Sequence, residues 1–335
     1  MQVGIDKIIF TAKEYRIKPN NSLKTNYTTD CNGNIERSNQ YLNLGDIGII
    51  DTNTQGIRII TNPSKVIGKL TAAPPNYLIK TADELNIALQ IVTDQLAAAG
   101  IDLPPESGIR INRIDHAKDM ITDHPAENYF PAIAMLGTTR MKKRNEATTY
   151  YAGNRQRQFC FYNKTADIAQ QTNGNIAIDE NTSRIEFRAL RTHEVDVTLN
   201  IKTLAELRNY TPDRWHADYT HLLKTQFFKI GHADQLAAAA PTLTIAHQLN
   251  LINYFGGQRK FEKILAHAAL LEYYGSIETM KTHLKAAGGH RSAIHRKLAA
   301  VQKAFKLKGI IDKYYNKETT ATLLHELITK FALAA

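Results

Sequence analysis

Three short polar segments hold the side chains that could do chemistry. In Arg113-Ile114-Asp115-His116-Ala117-Lys118-Asp119, strand alternation points Arg113, Asp115 and Ala117 one way and Ile114 the other. Arg184-Ile185-Glu186-Phe187-Arg188 alternates likewise, with Ile185, Phe187 and Ala189 on an apolar face and Arg184, Glu186 and Arg188 on a polar one. In Phe159-Cys160-Phe161-Tyr162 the phenylalanines take the core face and Tyr162 lies opposite them, with Lys164 and Asp167 just beyond. A carboxylate flanked by cations suits a metal ion beside a phosphodiester, since proteins hold magnesium with carboxylates plus phosphate oxygens. A tyrosine nucleophile needs help, because its ordinary pKa is about 10. A lysine and a metal-bound phosphate would stabilise the phenolate and polarise phosphorus. Tyr162, Lys164, Asp115 and Glu186 are the set that could supply this. Each segment also has a plainer reading. Asp115 could pair with Arg113 on a solvent face, Glu186 could sit in a cross-strand ion pair, and Tyr162 could be a core aromatic.

The elements that must position these groups are legible in outline. Val3, Ile5, Lys7 and Ile9 alternate in a first strand. Residues 20–39, rich in Asn, Thr and Ser, read as a long loop or hairpin turning at Asp30-Cys31-Asn32-Gly33. Residues 41–50 and 56–61 are two further strands, and 63–68 is a short helical turn closed by Gly68. Thr81-Ala82-Asp83-Glu84 is a capping box that opens an amphipathic helix to Gly100, with Leu85, Leu89, Val92 and Leu96 on one face. A strand over 108–120, a helix capped by Asp123 and running to about Leu136, a hairpin over 148–163, a short helix after Tyr162 and a strand over 183–191 follow. This order predicts an α+β domain, an antiparallel sheet with helices on one face. From Lys202 the pattern becomes helical only, so the expected division is 1–205, α+β, and 206–335, all-α.

Length and charge narrow the classes. A chain of 335 residues can bury a large core and favours two domains. No apolar window is long enough for a membrane span, and the first residues lack the pattern of a signal peptide. Two cysteines build no disulfide framework, which fits a reducing cytoplasm. The net charge of +10 is uneven: residues 1–200 carry 23 Lys and Arg against 22 Asp and Glu, and 201–335 carry 19 against 10. A polyanion is the natural partner for that half, nucleic acid being the commonest. Residues 257–313 hold twelve Lys and Arg against four acids, interleaved with Tyr273, Tyr274 and Phe305 and loosely like a helix-turn-helix. Arg259, Lys260, Arg291, Arg296 and Lys297 are its candidate phosphate contacts, with Arg113, Arg184 and Arg188 in the first half. A solvated basic bundle remains the alternative. No His-x-His pair, glycine-rich phosphate loop, CxxC or H-E-x-x-H motif is present.

In order and spacing the motifs resemble those of rolling-circle replication initiators of filamentous phages, the gene II protein type, and more loosely the related plasmid initiators. NPSKVIGK (62–69) resembles the segment before that family's long helix, RINRID (110–115) its Arg-Ile-Asp strand, RQRQFCFYNKTAD (155–167) its Tyr-x-Lys-x-x-acid motif and SRIEFRALR (183–191) its Arg-Phe-Glu-x-Arg strand. The isoleucine in RIEFR is a mild departure. The likeness covers about 60–200 and implies a ferredoxin- or RRM-like nuclease domain. It implies Tyr162 as nucleophile, Lys164 as the charge at the scissile phosphate, Asp115 and Glu186 as ligands of Mg2+ or Mn2+, and Asp119 and Asp167 as helpers. Asp119 resembles the plasmid branch better than the coliphage one. The implied activity is nicking of one strand at the origin of circular double-stranded DNA through a 5′-phosphotyrosine, then resealing of the displaced strand. Tyr150 or Tyr151 could serve in the second transfer, though sheet packing is their plainer role. Implied partners are origin DNA, the displaced single strand, a host helicase and single-strand binding protein, in the cytoplasm of a bacterial host and with no membrane. Two other classes compete: a non-catalytic origin-binding protein or regulator, and an RNA-binding module, which would need exposed aromatics on the sheet face.

Overall fold

A computed structural model describes residues 2–18, 24–29, 35–51, 56–136, 142–176, 181–227 and 257–315, with isolated positions from 252 to 330. Its strands are β1 (Gly4–Ala12), β2 (Arg16–Ile17), β3 (Lys24–Thr29), β4 (Ile35–Asn43), β5 (Ile47–Asp51) and β6 (Ile57–Thr61). Then come α1 (Pro63–Thr71), α2 (Ala82–Ala98), β7 (Ile101–Asp102), β8 (Ile109–Ile121), α3 (Phe130–Leu136), β9 (Lys142–Asn145), β10 (Thr149–Gly153), β11 (Arg157–Asn163), α4 (Lys164–Gln171) and β12 (Thr182–Ala189). Helices α5 (Thr192–Glu194), α6 (Leu204–Arg208), α7 (Pro212–Leu222), α8 (Gln258–Tyr274), α9 (Ile277–Ala286) and α10 (Arg291–Tyr315) follow among the described residues. The fold is α+β: a ten-stranded sheet ordered β3-β4-β5-β6-β1-β8-β12-β11-β10-β9, with helices, followed by a helical region.

The chain divides into two units, Met1–Glu127 with Arg144–Phe227, and Asn128–Lys143 with Phe228–Ala335. The division thus falls later than the expected 205. Helices α6 and α7 belong with the sheet for a packing reason. Tyr210 and Trp215 are fully buried, and the Tyr210 ring meets His116 of β8 edge-on at 5.7 Å. The Asn86 amide of α2 donates to the Arg208 carbonyl.

Local chemistry explains several boundaries. Thr81 and Glu84 form the expected capping box, and Leu85, Leu89, Val92 and Leu96 are buried. Helix α1 runs past Gly68 and stops at Ala72, which takes the left-handed conformation at φ 52°. The strand expected over 41–50 is broken by a turn containing Gly45 at φ 76°, so β4 and β5 form a hairpin. Residues 24–29 and 35–43 pair as a hairpin, and its turn at 30–34 lies outside the described residues. The helix expected after Asp123 opens with a 3-10 turn at Ala126–Tyr129 that leads into α3. No described helix is long and apolar enough to cross a membrane.

In the helical unit, Phe261, Ile264, Ala268, Met280, Ile294, Val301 and Ala304 are buried, and Lys308 pairs with Glu272 at 3.3 Å to tie α10 to α8. Gly275, at φ 71°, ends α8, and the Ser276 hydroxyl caps α9.

Candidate active site

Register brings the three polar segments together. Strands β8, β12 and β11 are antiparallel neighbours, so directly opposed residues share a face. Gln158, Arg188 and Asp115 form one row across them, Cys160, Glu186 and Ala117 the next, and Tyr162, Arg184 and Asp119 the third. The other face carries Phe159, Phe187 and His116, then Phe161, Ile185 and Lys118. Tyr162 therefore leaves the phenylalanine face, as alternation predicts.

The charged centre of the polar face is buried. Asp115, Arg184 and Glu186 are each 2% exposed or less, so the solvent-face reading of both ion-pair strands fails. Burying charges is costly unless they are paired and hydrogen-bonded, and here they are. The Tyr162 hydroxyl donates to Glu186 Oε1 at 2.7 Å. Arg188 donates to Glu186 Oε2 through Nε at 2.7 Å, and its Nη2 lies 2.6 Å from the same oxygen. Arg113 forks onto Asp115 at 2.7 and 2.6 Å, and Arg188 reaches within 3.8 Å of Asp115. The result is two carboxylates and two guanidiniums in alternation, with the tyrosine hydroxyl at one end.

These surroundings set the protonation states. Burial pushes the Tyr162 phenol well above its ordinary value, and the Glu186 carboxylate adds to this, so the resting form is the neutral phenol. Burial alone would raise Glu186, but Arg188 and Arg184 outweigh it and hold the carboxyl below its ordinary value. Asp115 is pushed up to about 6 by burial, against the pull of Arg113 and Arg188.

Helix α4 brings in the cation. Asn163 caps it, accepting from the Ala166 N–H at 2.9 Å and donating to both Glu127 oxygens at 3.2 Å. The first helical residue, Lys164, pairs with Asp167 at 2.7 Å and holds its ammonium 5.7 Å from the Tyr162 ring centre. On the next strand Tyr150 is core, and Tyr151 turns toward Arg188, whose guanidinium lies 5.9 Å from its ring centre.

Arg184 stands apart from the phosphate-binding role expected for it. It forks onto Asp119 at 2.5 and 2.8 Å, reaches Asp6 at 3.0 Å and donates to the Asn76 carbonyl at 2.9 Å. Its side chain is 3% exposed, whereas Arg113 and Arg188 keep 20% and 22%. Arg184 is an anchor, and the other two can reach a ligand. Sequence reasoning missed Asp6 and Asn76. Asp6 sits where the register of β1 shifts between Ile5 and Lys7, and a bulge breaks the alternation there.

The magnesium pair expected from the resemblance can be tested on this donor set. All four oxygens of Asp115 and Glu186 already receive a guanidinium or phenol proton, and Arg113 and Arg188 cancel the two carboxylate charges. Among the described residues no group of three or more His, Cys, Asp or Glu could hold a metal ion. As arranged, the pair does not fit a resident divalent cation.

Arg259, Lys260, Arg291, Arg296 and Lys297 are all exposed, the first two on α8 and the rest on α10. They belong to the helical unit, whereas the Tyr162 site belongs to the sheet unit.

No family model matches the chain, and neither does any curated protein. Among solved structures the chain is similar to a rolling circle replication initiator protein from Geobacillus stearothermophilus, at 14% identity and a TM-score of 0.38, over 68% of this chain and 85% of that one.

Proposed function

We propose that the protein is a tyrosine strand transferase that initiates rolling-circle DNA replication. The observation that carries this reading is the Tyr162 hydroxyl donating to a buried carboxylate within hydrogen-bond reach, with two part-exposed arginines and a lysine around them. Tyr162 Oη attacks a backbone phosphorus of one DNA strand. Its proton passes to Glu186, so Glu186 acts as general base. The P–O3′ bond breaks, the 3′ oxygen takes a proton from water, and the 5′ phosphate stays on the tyrosine. Arg113, Arg188 and Lys164 offset the charge that builds on the phosphoryl oxygens. One phosphate ester replaces another, so no ATP is consumed, and a 3′-hydroxyl attacking the phosphotyrosine reseals a strand. No step here passes through a metal ion.

The five exposed basic residues of α8 and α10 grip duplex phosphates at the origin. Supercoiled circular DNA carrying the replicon's origin tests the reading. Wild type converts it to relaxed circles and Tyr162→Phe leaves it supercoiled. Supercoiled DNA that wild type binds but never nicks overturns the enzymatic reading in favour of a non-catalytic origin-binding protein.

A further inference from the structure

Next to the tyrosine row, on the same face of the sheet, lies a pocket that strand transfer as described leaves unused. On that face the row after Tyr162, Arg184 and Asp119 is Thr182 and Ile121. A pocket of about 480 Å³ opens there, lined by Asp119, Ile121 and Thr182 and, across from them, by Asn76, Tyr77 and Leu78 of the segment between α1 and α2. That volume falls in the range of small-molecule sites. With strands 4.7–4.9 Å apart, Asp119 stands two strands, roughly 10 Å, from Tyr162.

The segment opposite the sheet is firmly placed. Arg184 holds the Asn76 carbonyl while its fork grips Asp119. The Ser64 hydroxyl bridges the Ile5 carbonyl at 2.7 Å and the Ile79 N–H at 3.1 Å. A Cβ on Gly4 would stand 2.5 Å from the Ile79 carbonyl oxygen, so only glycine allows this approach. The Tyr77 hydroxyl is tied to Glu84, which fixes its ring. Between these anchors the Asn76 side-chain amide has no partner among the described residues, although it is half-buried in the pocket wall.

The lining mixes apolar side chains, Leu78 and Ile121 among them, with a fixed aromatic ring that has the Lys80 ammonium 5.8 Å from its centre and with the unpaired Asn76 amide, and a ring and an amide are groups that hold and read an unstacked base. Aromatic rings stack any base, and asparagine offers both a donor and an acceptor to a base edge. We infer that this pocket receives one unpaired base of the strand that Tyr162 attacks, stacked on Tyr77 and hydrogen-bonded by Asn76. The inference rests on the strand-transfer reading for the identity of its ligand. It adds that the single strand is gripped by a base beside the scissile phosphate.

The test uses the full-length protein and labelled 12-nucleotide single strands of dA, dT or dC, with an abasic strand of equal length, measured by fluorescence anisotropy. Ala73→Trp puts an indole into the pocket from its rim. It should weaken binding of the base-bearing strands about tenfold, the effect of losing one stacked base, and leave the abasic strand within about twofold. Asn76→Ala, the milder change, should narrow the spread between dA, dT and dC. Base-bearing strands that bind both variants as tightly as wild type overturn the pocket. Covalent adduct formation at Tyr162 is scored separately. Normal adduct with unchanged strand binding removes the pocket and keeps the reaction, whereas altered strand binding without any adduct keeps the pocket and removes the reaction.

Discussion

Glu186→Gln separates the proton-accepting role of this residue from its packing role. The amide matches the carboxylate in size, and its oxygen can still accept from the Tyr162 hydroxyl, now 2.7 Å from Glu186. It cannot take the proton. A positioned general base contributes about 10²- to 10⁴-fold, which is about 3–5 kcal/mol of barrier at 1.36 kcal/mol per decade. The fold should tolerate the change, because Arg188 keeps Asp115 within 3.8 Å and Gln158 as a 3.1 Å acceptor. A loss of about 1–3 kcal/mol in stability is expected for the weakened pairing. Single-turnover nicking by saturating enzyme should therefore fall at least a hundredfold, with DNA affinity little changed. The pH profile adds a second readout between pH 7 and 9, above the Asp115 transition near 6. Wild type should be nearly flat there, because the Glu186 carboxyl lies below its ordinary value and stays ionised. The variant must use the small phenolate fraction of Tyr162, whose pKa burial raises, so its rate should climb about tenfold per pH unit. A variant within tenfold of wild type, or one with a flat profile, refutes Glu186 as the base.

Arg184→Met should cost roughly 3–5 kcal/mol in urea unfolding, since it strands Asp119 and Asp6 beside a buried gap; a loss under 1 kcal/mol would deny Arg184 its anchoring role. His116 is buried, donates through Nε2 to Tyr210, which donates to Asp218, and burial lowers its pKa to about 3. The unfolded chain binds that proton below about 6.5, so stability should fall as pH drops from 6.5 toward 3, by up to about 1.4 kcal/mol per pH unit. Asp115, raised to about 6, acts in the opposite sense between about 6 and 4, so the comparison to make is wild type against His116→Gln across that range. Replacing Arg291, Arg296 and Lys297 by Gln should weaken origin-duplex binding and reduce the salt slope by about 0.9 for each phosphate no longer neutralised; an unchanged slope removes α10 from the DNA interface.

Much of the site was legible because strand alternation is local. The pattern FCFY already turns Tyr162 from the phenylalanines, and RIEFR already separates Glu186 from Phe187. The capping box at Thr81 needs only three residues of context. The partners were not legible, because register is long-range. Nothing in Arg184-Ile185-Glu186 says that Asp119 will stand opposite Arg184, or that a bulge in β1 will deliver Asp6 to it. Burial is illegible for the same reason: a row of alternating charges reads as a wet surface until three such rows neutralise one another. The strands end at Ala189, which marks a boundary in the sequence, yet Tyr210 and Trp215 are fully buried and Tyr210 packs against His116 of the sheet. Asn76 lies in a Pro- and Asn-containing connection that carries no periodicity, and only its tie to Arg184 marks it out.

The most direct test of the central claim is the chemical identity of the bond between protein and DNA. Wild type is incubated with origin DNA, denatured and digested, and the DNA-linked peptide is sequenced by mass spectrometry. The account predicts one linked peptide, with the 5′ phosphate of the cut strand on Tyr162, and none from Tyr162→Phe. A phosphodiester carried on any other residue, or an adduct that survives in Tyr162→Phe, would contradict it.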